Sequence, residues 1–252
     1  MKISFVIPAY NEASTIGKCL GTLQTEIKKN GRHVETEIIV VNNASTDSTK
    51  EVARTFPNVI VVDELRKGLA RARQAGFEKT TGDIIANIDA DTLVPDGWLT
   101  TIIEEFTKHP NLVALTGPQV YYDVPKYIRA IMTMWYASGL VFDSLSKFVF
   151  KKGSLLQGGN NVIRKSALDK IGGYDTSFEF YGEDINTGRR LNEIGRVTWT
   201  FRFPIFASGR RLNEHGLLKT GYVYITAFFF ATILKKAYTQ KYIGVREAGS
   251  KK

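Results

Sequence analysis

The chain has 252 residues, 43% hydrophobic and 23% charged, a balance that excludes a disordered tail and suits one domain with appendages better than two independent cores. Its single cysteine excludes a disulfide framework and a cysteine-based zinc cluster. The net charge of +9 is concentrated at one end: residues 202–252 carry ten Lys or Arg and two Glu, whereas residues 1–201 are close to neutral. A basic tail on a neutral body seeks phosphate, in a ligand, in nucleic acid or on an anionic membrane.

Residues 1–8 hold one basic residue and an apolar run too short for a secretory leader, which predicts a mature strand in a cytoplasmic, reducing compartment. Further β-branched runs at 37–41, 59–62, 84–89 and 112–116 predict strands. Helical patterns fall between them at 13–28, 48–55, 69–79 and 98–106. Alternating strands and helices predict an α/β fold, a mostly parallel sheet covered by helices on both faces. In such sheets ligands bind at the carboxyl ends of the strands. The second half is less regular. It offers a long aromatic-rich helix at 125–150, a glycine-containing loop at 153–161, short helices at 164–171 and 184–194, a strand at 197–201 and an apolar run at 221–234. Cys19, Trp98, Trp135 and Trp199 read as core packing.

Asp89-Ala90-Asp91 follows a strand at the ligand-binding edge, and alternation points both carboxylates to one side. Two carboxylates there can share a divalent cation and its diphosphate, although Asp is also an ordinary turn residue after strands. Gly182-Glu183-Asp184 opens a helix. Asp184 is either a helix cap or, beside Phe178, Phe180 and Tyr181, a carboxylate in a partly dry pocket suited to a general base. Gln157-Gly158-Gly159-Asn160 supplies amides for a hydroxyl-rich ligand, or forms a plain turn.

Taken in order, Phe5-Val6-Ile7-Pro8-Ala9-Tyr10-Asn11-Glu12, Val40-Val41-Asn42-Asn43-Ala44-Ser45-Thr46-Asp47, the stretch from Gly68 to Arg73 with Gly82-Asp83, then Asp89-Ala90-Asp91 and Gly182-Glu183-Asp184 resemble the motifs of family 2 glycosyltransferases. The resemblance spans residues 3 to about 200. It implies the GT-A fold, an αβα sandwich, and inverting transfer of a sugar from a nucleotide diphosphate-sugar to a hydroxyl acceptor, in polysaccharide or glycolipid assembly. By the same resemblance Pro8, Ala9, Tyr10 and Glu12 would line the nucleoside pocket, Asn42 or Asn43 would read the base and Arg73 would support the nucleotide side. Asp89 would touch the ribose or donor sugar, Asp91 with Asp89 would hold Mg2+ or Mn2+ on the diphosphate, and Asp184 with Glu183 would form the catalytic pair. Gln157, Gly158, Gly159 and Asn160 would face the acceptor, and Arg210 and Arg211 the diphosphate. His215 is a further candidate metal ligand, though a single histidine without a fixed partner is more often structural.

The chain departs from the family at Asn42-Asn43, where an acid is usual. An amide both donates and accepts, which matches uracil or thymine better than guanine, so a UDP- or dTDP-sugar is the expected donor. These considerations divide the chain into a catalytic domain at 1–201, with a nucleotide-binding half to 117 and an acceptor-binding half from 118, and a basic helical extension at 202–252 packed on it or on a membrane. The 221–234 run is too short to span a bilayer, leaving core burial, an oligomer contact or an interfacial helix. A saccharide or lipid-linked acceptor and an anionic surface on the inner face of the membrane are the expected partners. Nucleic acid is not expected, because the tail carries no recognisable binding motif. A nicotinamide enzyme is disfavoured because no glycine-rich fingerprint follows the first strand. A non-catalytic nucleotide- or glycan-binding relative is the competing expectation, favoured by Asn42-Asn43 and opposed by Asp89, Asp91 and Asp184.

Overall fold

The computed structural model describes residues 1–150, 156–178, 180–234 and 236–239, with the backbone alone at 139–150 and 233. Through residue 116 strands and helices alternate: β1 (Lys2–Ala9), α1 (Ile16–Asn30), β2 (Glu35–Asn42), α2 (Thr49–Arg54), β3 (Val59–Asp63), α3 (Leu69–Lys79), β4 (Ile84–Ile88), β5 (Thr92–Leu93), α4 (Trp98–Lys108) and β6 (Leu112–Thr116). There follow β7 (Gln119–Tyr121), α5 (Lys126–Phe150), β8 (Asn160–Arg164), α6 (Lys165–Lys170), α7 (Glu183–Asn192), β9 (Arg196–Trp199), β10 (Ile205–Ala207), α8 (Arg210–Phe229) and a π-helical turn, Phe230–Leu234.

Seven strands form one sheet in the order β3-β2-β1-β4-β8-β6-β9. The first four are parallel, β8 runs antiparallel between β4 and β6, and β9 is parallel to β6. A strand buried on both faces must be apolar on both, and β1 shows how. Ile3, Phe5 and Ile7 pack on one side with Leu20, Leu23 and Leu99 from α1 and α4, while Val6 packs on the other with Ala72 and Phe77 from α3. The result is the α/β sandwich expected from the alternation, with the carboxyl ends of β1, β2, β3 and β4 along one edge.

The second half departs from expectation at β8. The reading of 153–161 as a loop fails at its end, because Asn160 and Asn161 open a buried strand; residues 153–155 lie outside the described residues. Their polarity hides the strand, since every amide has an internal partner. Asn160 accepts from Trp98 Nε1 at 3.1 Å and donates to the Phe203 carbonyl at 2.8 Å, and Asn161 accepts from Asn87 at 2.7 Å.

The described residues from 202 to 207 stay in the body. Phe203 and Ile205 are fully buried, and β10 pairs with β5 and β7 in a second, three-stranded sheet. α8 is broken at Gly216, whose φ of 73° lies in the left-handed region that favours glycine. The 221–234 run forms the later part of α8 and the π-helical turn, and the turn's Ala231 closes over Gly182 at the start of α7. Lys235 and residues 240–252, half of the basic tail's charge, lie outside the described residues.

Candidate active site

The ends of β1 and β4 open into a cleft of about 220 Å3 lined by Pro8, Ala9, Tyr10, Asn43, Asp89 and Asp91 and closed by Lys67 and Arg210. Lys67 sits 4.5 Å above the centre of the Tyr10 ring and donates to its hydroxyl at 2.6 Å. Arg210, in the first turn of α8, bridges two acids from the edge of the sheet. Its guanidinium meets Asp91 Oδ2 at 2.8 Å and grips both oxygens of Glu12.

Asp89 stands between this cleft and a second cavity of about 490 Å3, and it lines both. Its Oδ1 accepts from Arg73 at 3.3 Å and its Oδ2 from Gln119 at 3.5 Å. Arg73 is fully buried. Besides Asp89 it donates to the Gly158 carbonyl at 2.7 Å and pairs with the equally buried Glu183. One guanidinium therefore ties α3, the end of β4, the 157–159 turn and the first turn of α7. Buried charges persist only when paired in this way.

The second cavity is mainly apolar and aromatic, walled by Met132, Trp135 and Tyr136 of α5, Tyr181, and Ile225 and Phe228 of α8. Asp184 projects into it from the start of α7. Burial raises its carboxyl above the ordinary carboxylate range, opposed by the Arg73 charge and by the backbone N–H groups of Ile185 and Gly158. A carboxylate raised in this way is a stronger proton acceptor. Gly158 and Gly159 line the cavity beside it. A Cβ at Gly159 would collide with the Asp89 carboxylate and the Gln119 amide. Gln157 donates to Gln119 at 3.1 Å, so a chain of amides runs from the 157 turn to Asp89. Arg211 lies over the rings of Tyr181 and Tyr224 in the wall shared by the two spaces.

Several expected contacts fall elsewhere. Glu12 is buried and absent from the cleft lining, because its carboxylate is consumed by Arg210 and by the Thr15 hydroxyl. Arg73 sits under Asp89 and does not line the first cleft, because Glu183 and the Gly158 carbonyl fix it there. Asn43 borders the cleft, but its amide is spent on the 64–68 loop: it donates to the carbonyls of Glu64 and Arg66 and accepts from Gly68 N. Asn42 donates to Asp63 at 2.8 Å, and its Oδ1 is buried without a hydrogen-bond partner. Asn160 serves the core of β8 and does not line the second cavity. Trp135, expected in the core, is exposed at the cavity's rim, whereas Trp98 is buried as expected. Lys67 and Gln119 went unmarked in the sequence. Gln119 falls in a three-residue strand with no periodicity of its own, and Lys67 is one more charge in a loop.

Among the described residues no three His, Cys, Asp or Glu side chains gather into a metal site, so His215 does not join Asp89 and Asp91. It lines a small neighbouring cavity with Arg211 and Lys219. Asp89 and Asp91 are hard carboxylate donors that already face guanidinium groups. That donor set fits a Mg2+ or Mn2+ ion completed by diphosphate oxygens, and does not fit an all-protein cage.

Residues 4–172 match the family model described as "Glycosyl transferase family 2". The chain is 29% identical over 194 residues to the poly-beta-1,6-N-acetyl-D-glucosamine synthase of Staphylococcus epidermidis, an alignment covering 75% of this chain and 45% of that protein. The chain thus spans about half the length of this relative. Among solved structures, the mannosyltransferase PcManGT of Pyrobaculum calidifontis, in complex with GDP-Man and Mn2+, superposes with a TM-score of 0.71 at 20% identity, over 94% of this chain and 65% of that one. TarS of S. aureus in complex with UDP-GlcNAc gives 0.57 at 17% identity, over 82% and 58%. At these identities the solved structures speak for the fold, which is that of GT-A transferases.

Proposed function

Because the chain belongs to glycosyl transferase family 2, we propose that it is an inverting glycosyltransferase, taking a sugar from a nucleotide diphosphate-sugar in the first cleft and delivering it to a hydroxyl acceptor in the second cavity. The observation that carries the reading is Asp89 in the wall between the two spaces, with Asp91 on one side and Asp184 on the other. Inversion requires in-line attack, so the base and the leaving group must lie on opposite faces of the anomeric carbon. Asp184 takes the acceptor proton. Pro8, Ala9 and Tyr10 hold the nucleoside under Lys67, and Asp89 orients the donor sugar.

Asp91 with Asp89 would hold Mg2+ or Mn2+, which supplies charge neutralisation to the departing diphosphate. PcManGT, solved with Mn2+, offers a precedent in the fold. Arg210 and Arg211 reinforce that neutralisation from α8, and such interactions accelerate the reaction because the charge grows as the bond breaks. The acceptor face is Gln157, Gly158 and Gly159 with the aromatic wall above. The polar floor of this cavity, with Gln119, Gln157 and Asp184, suits a saccharide, and its apolar wall suits a lipid that carries one. The paired carboxylates and the raised Asp184 favour an enzyme over a non-catalytic binding module.

The donor is a uridine or thymidine diphosphate-sugar. The support is chemical: amides stand at Asn42 and Asn43, where an acid is usual, and Asn43 borders the cleft. An amide matches the paired donor and acceptor of uracil or thymine better than the two donors of guanine. A thermal-shift comparison tests this. UDP or dTDP with Mn2+ at about 100-fold over Kd should stabilise the fold by about 2.7 kcal/mol, and GDP by much less. Absence of a shift with every nucleoside diphosphate would overturn the reading, and a larger shift with GDP would overturn the base assignment.

A further inference from the structure

The second cavity opens between two helices whose outward faces are apolar. On α5 the exposed residues Tyr127, Ile131, Met134 and Trp135 recur at the i, i+4, i+7 and i+8 positions of one helix face. Beyond the Gly216 break in α8, Leu218, Tyr222, Ile225 and Phe229 do the same at i, i+4, i+7 and i+11. Met134 is 69% and Leu218 89% exposed. Single apolar residues on a surface are ordinary, but two aligned stripes are not. Trp135 and Ile225 belong to the stripes and to the cavity wall at once, 44% and 53% exposed, so both stripes run to the cavity's edge.

Charge selects the occupant. The exposed charges beside the stripes are basic: Lys126 next to Tyr127 at the start of α5, Lys219 next to Leu218 in α8, and Lys236 after the π-helical turn. A second copy laid on this surface would set like charges against each other, whereas an anionic bilayer complements them. Tyr127, Trp135 and Tyr222 are side chains suited to the boundary of hydrocarbon and water. Among the described residues no helix is long and apolar enough to cross a membrane, so contact by these helices lies along the surface.

We propose that the outward faces of α5 and α8 dock on an anionic lipid bilayer and hold the mouth of the acceptor cavity at the membrane, where an acceptor carried on a lipid enters directly. The route of the acceptor rests on the transferase reading of the cavity; the docking does not. The test is flotation of the full chain with vesicles of phosphatidylcholine alone or mixed with phosphatidylglycerol, at low and high salt. The protein should float with the anionic vesicles, less at high salt, and remain behind with the neutral ones. The double variant Met134→Glu, Leu218→Glu, whose positions lie outside the cavity wall, should lower flotation by about tenfold or more, because both side chains would carry charge into the apolar interface. It should hydrolyse donor in solution at the parent's rate, which certifies its fold. Absence of flotation, equal flotation of variant and parent, equal flotation with neutral vesicles, or a stripe-dependent dimer by light scattering would each overturn the proposal. Flotation without donor turnover in the parent would support docking and count against the transferase reading instead.

Discussion

On one side of Asp89 the strand ends present carboxylates met by guanidinium groups, Glu12 and Asp91 by Arg210 and Asp89 by Arg73; on the other side, helices present rings and aliphatic chains around a single raised carboxyl. The sheet supplies the charge because parallel strands bring their carboxyl ends to one edge. The helices supply the dry wall because α5 and α8 bring Met132, Trp135, Tyr136, Ile225 and Phe228 to the cavity. Charge neutralisation and dryness are thus allotted to separate compartments, with the Arg73–Glu183 pair as the connection. A base in the charged cleft would face guanidinium groups that favour its ionised form and weaken it as a proton acceptor, and a diphosphate in the apolar cavity would go unneutralised.

The comparison breaks most severely at that connection. Glu183→Ala removes the fully buried partner of Arg73, leaving it only the more exposed Asp89 and the Gly158 carbonyl, and should cost about 3 kcal/mol of stability, read from the urea midpoint. A loss of only a few tenths would mean that the two compartments are not tied through this pair. Gly159→Ala sharpens the comparison at the shared wall. Its Cβ collides with Asp89, so donor KM should rise and stability should fall by about 1–3 kcal/mol, while the distant Lys67–Tyr10 contact stays intact. The smallest effect is the pH profile. Asp184 must be ionised to accept a proton, and burial raises its carboxyl, so kcat/KM should fall on acidification at a pH above the ordinary carboxylate range. Arg73 lowers the same group, so in Arg73→Met the acid limb should move further up in pH. A limb that stays in place would separate Arg73 from the base.

Much of the first cleft was legible in the sequence because periodicity governs the elements that form it. α3 lies at Leu69–Lys79 as the helical pattern predicts, β6 at Leu112–Thr116, and the Asp89–Asp91 spacing sets both carboxylates at the edge of the cleft. Contacts made across the fold were not legible. Nothing local says that Arg73 pairs with Glu183, or that Arg210 reaches Glu12 across most of the chain's length. β8 was hidden because Asn160 and Asn161 look solvent-facing until Trp98 and Asn87 are brought to them. Trp135 reads as core by composition, and only the placement of α5 at the cavity edge leaves it exposed.

The central claim is that the raised carboxyl in the apolar cavity performs the chemistry and the carboxylates of the cleft hold the donor. Asp184→Asn preserves shape and removes the base. With nucleotide binding followed by titration calorimetry and transfer by product formation, the variant should bind donor as the parent does and lose about 10²–10⁴-fold in turnover. Turnover within twofold of the parent would contradict the assignment, and donor binding lost together with turnover would place Asp184 on the wrong side of Asp89.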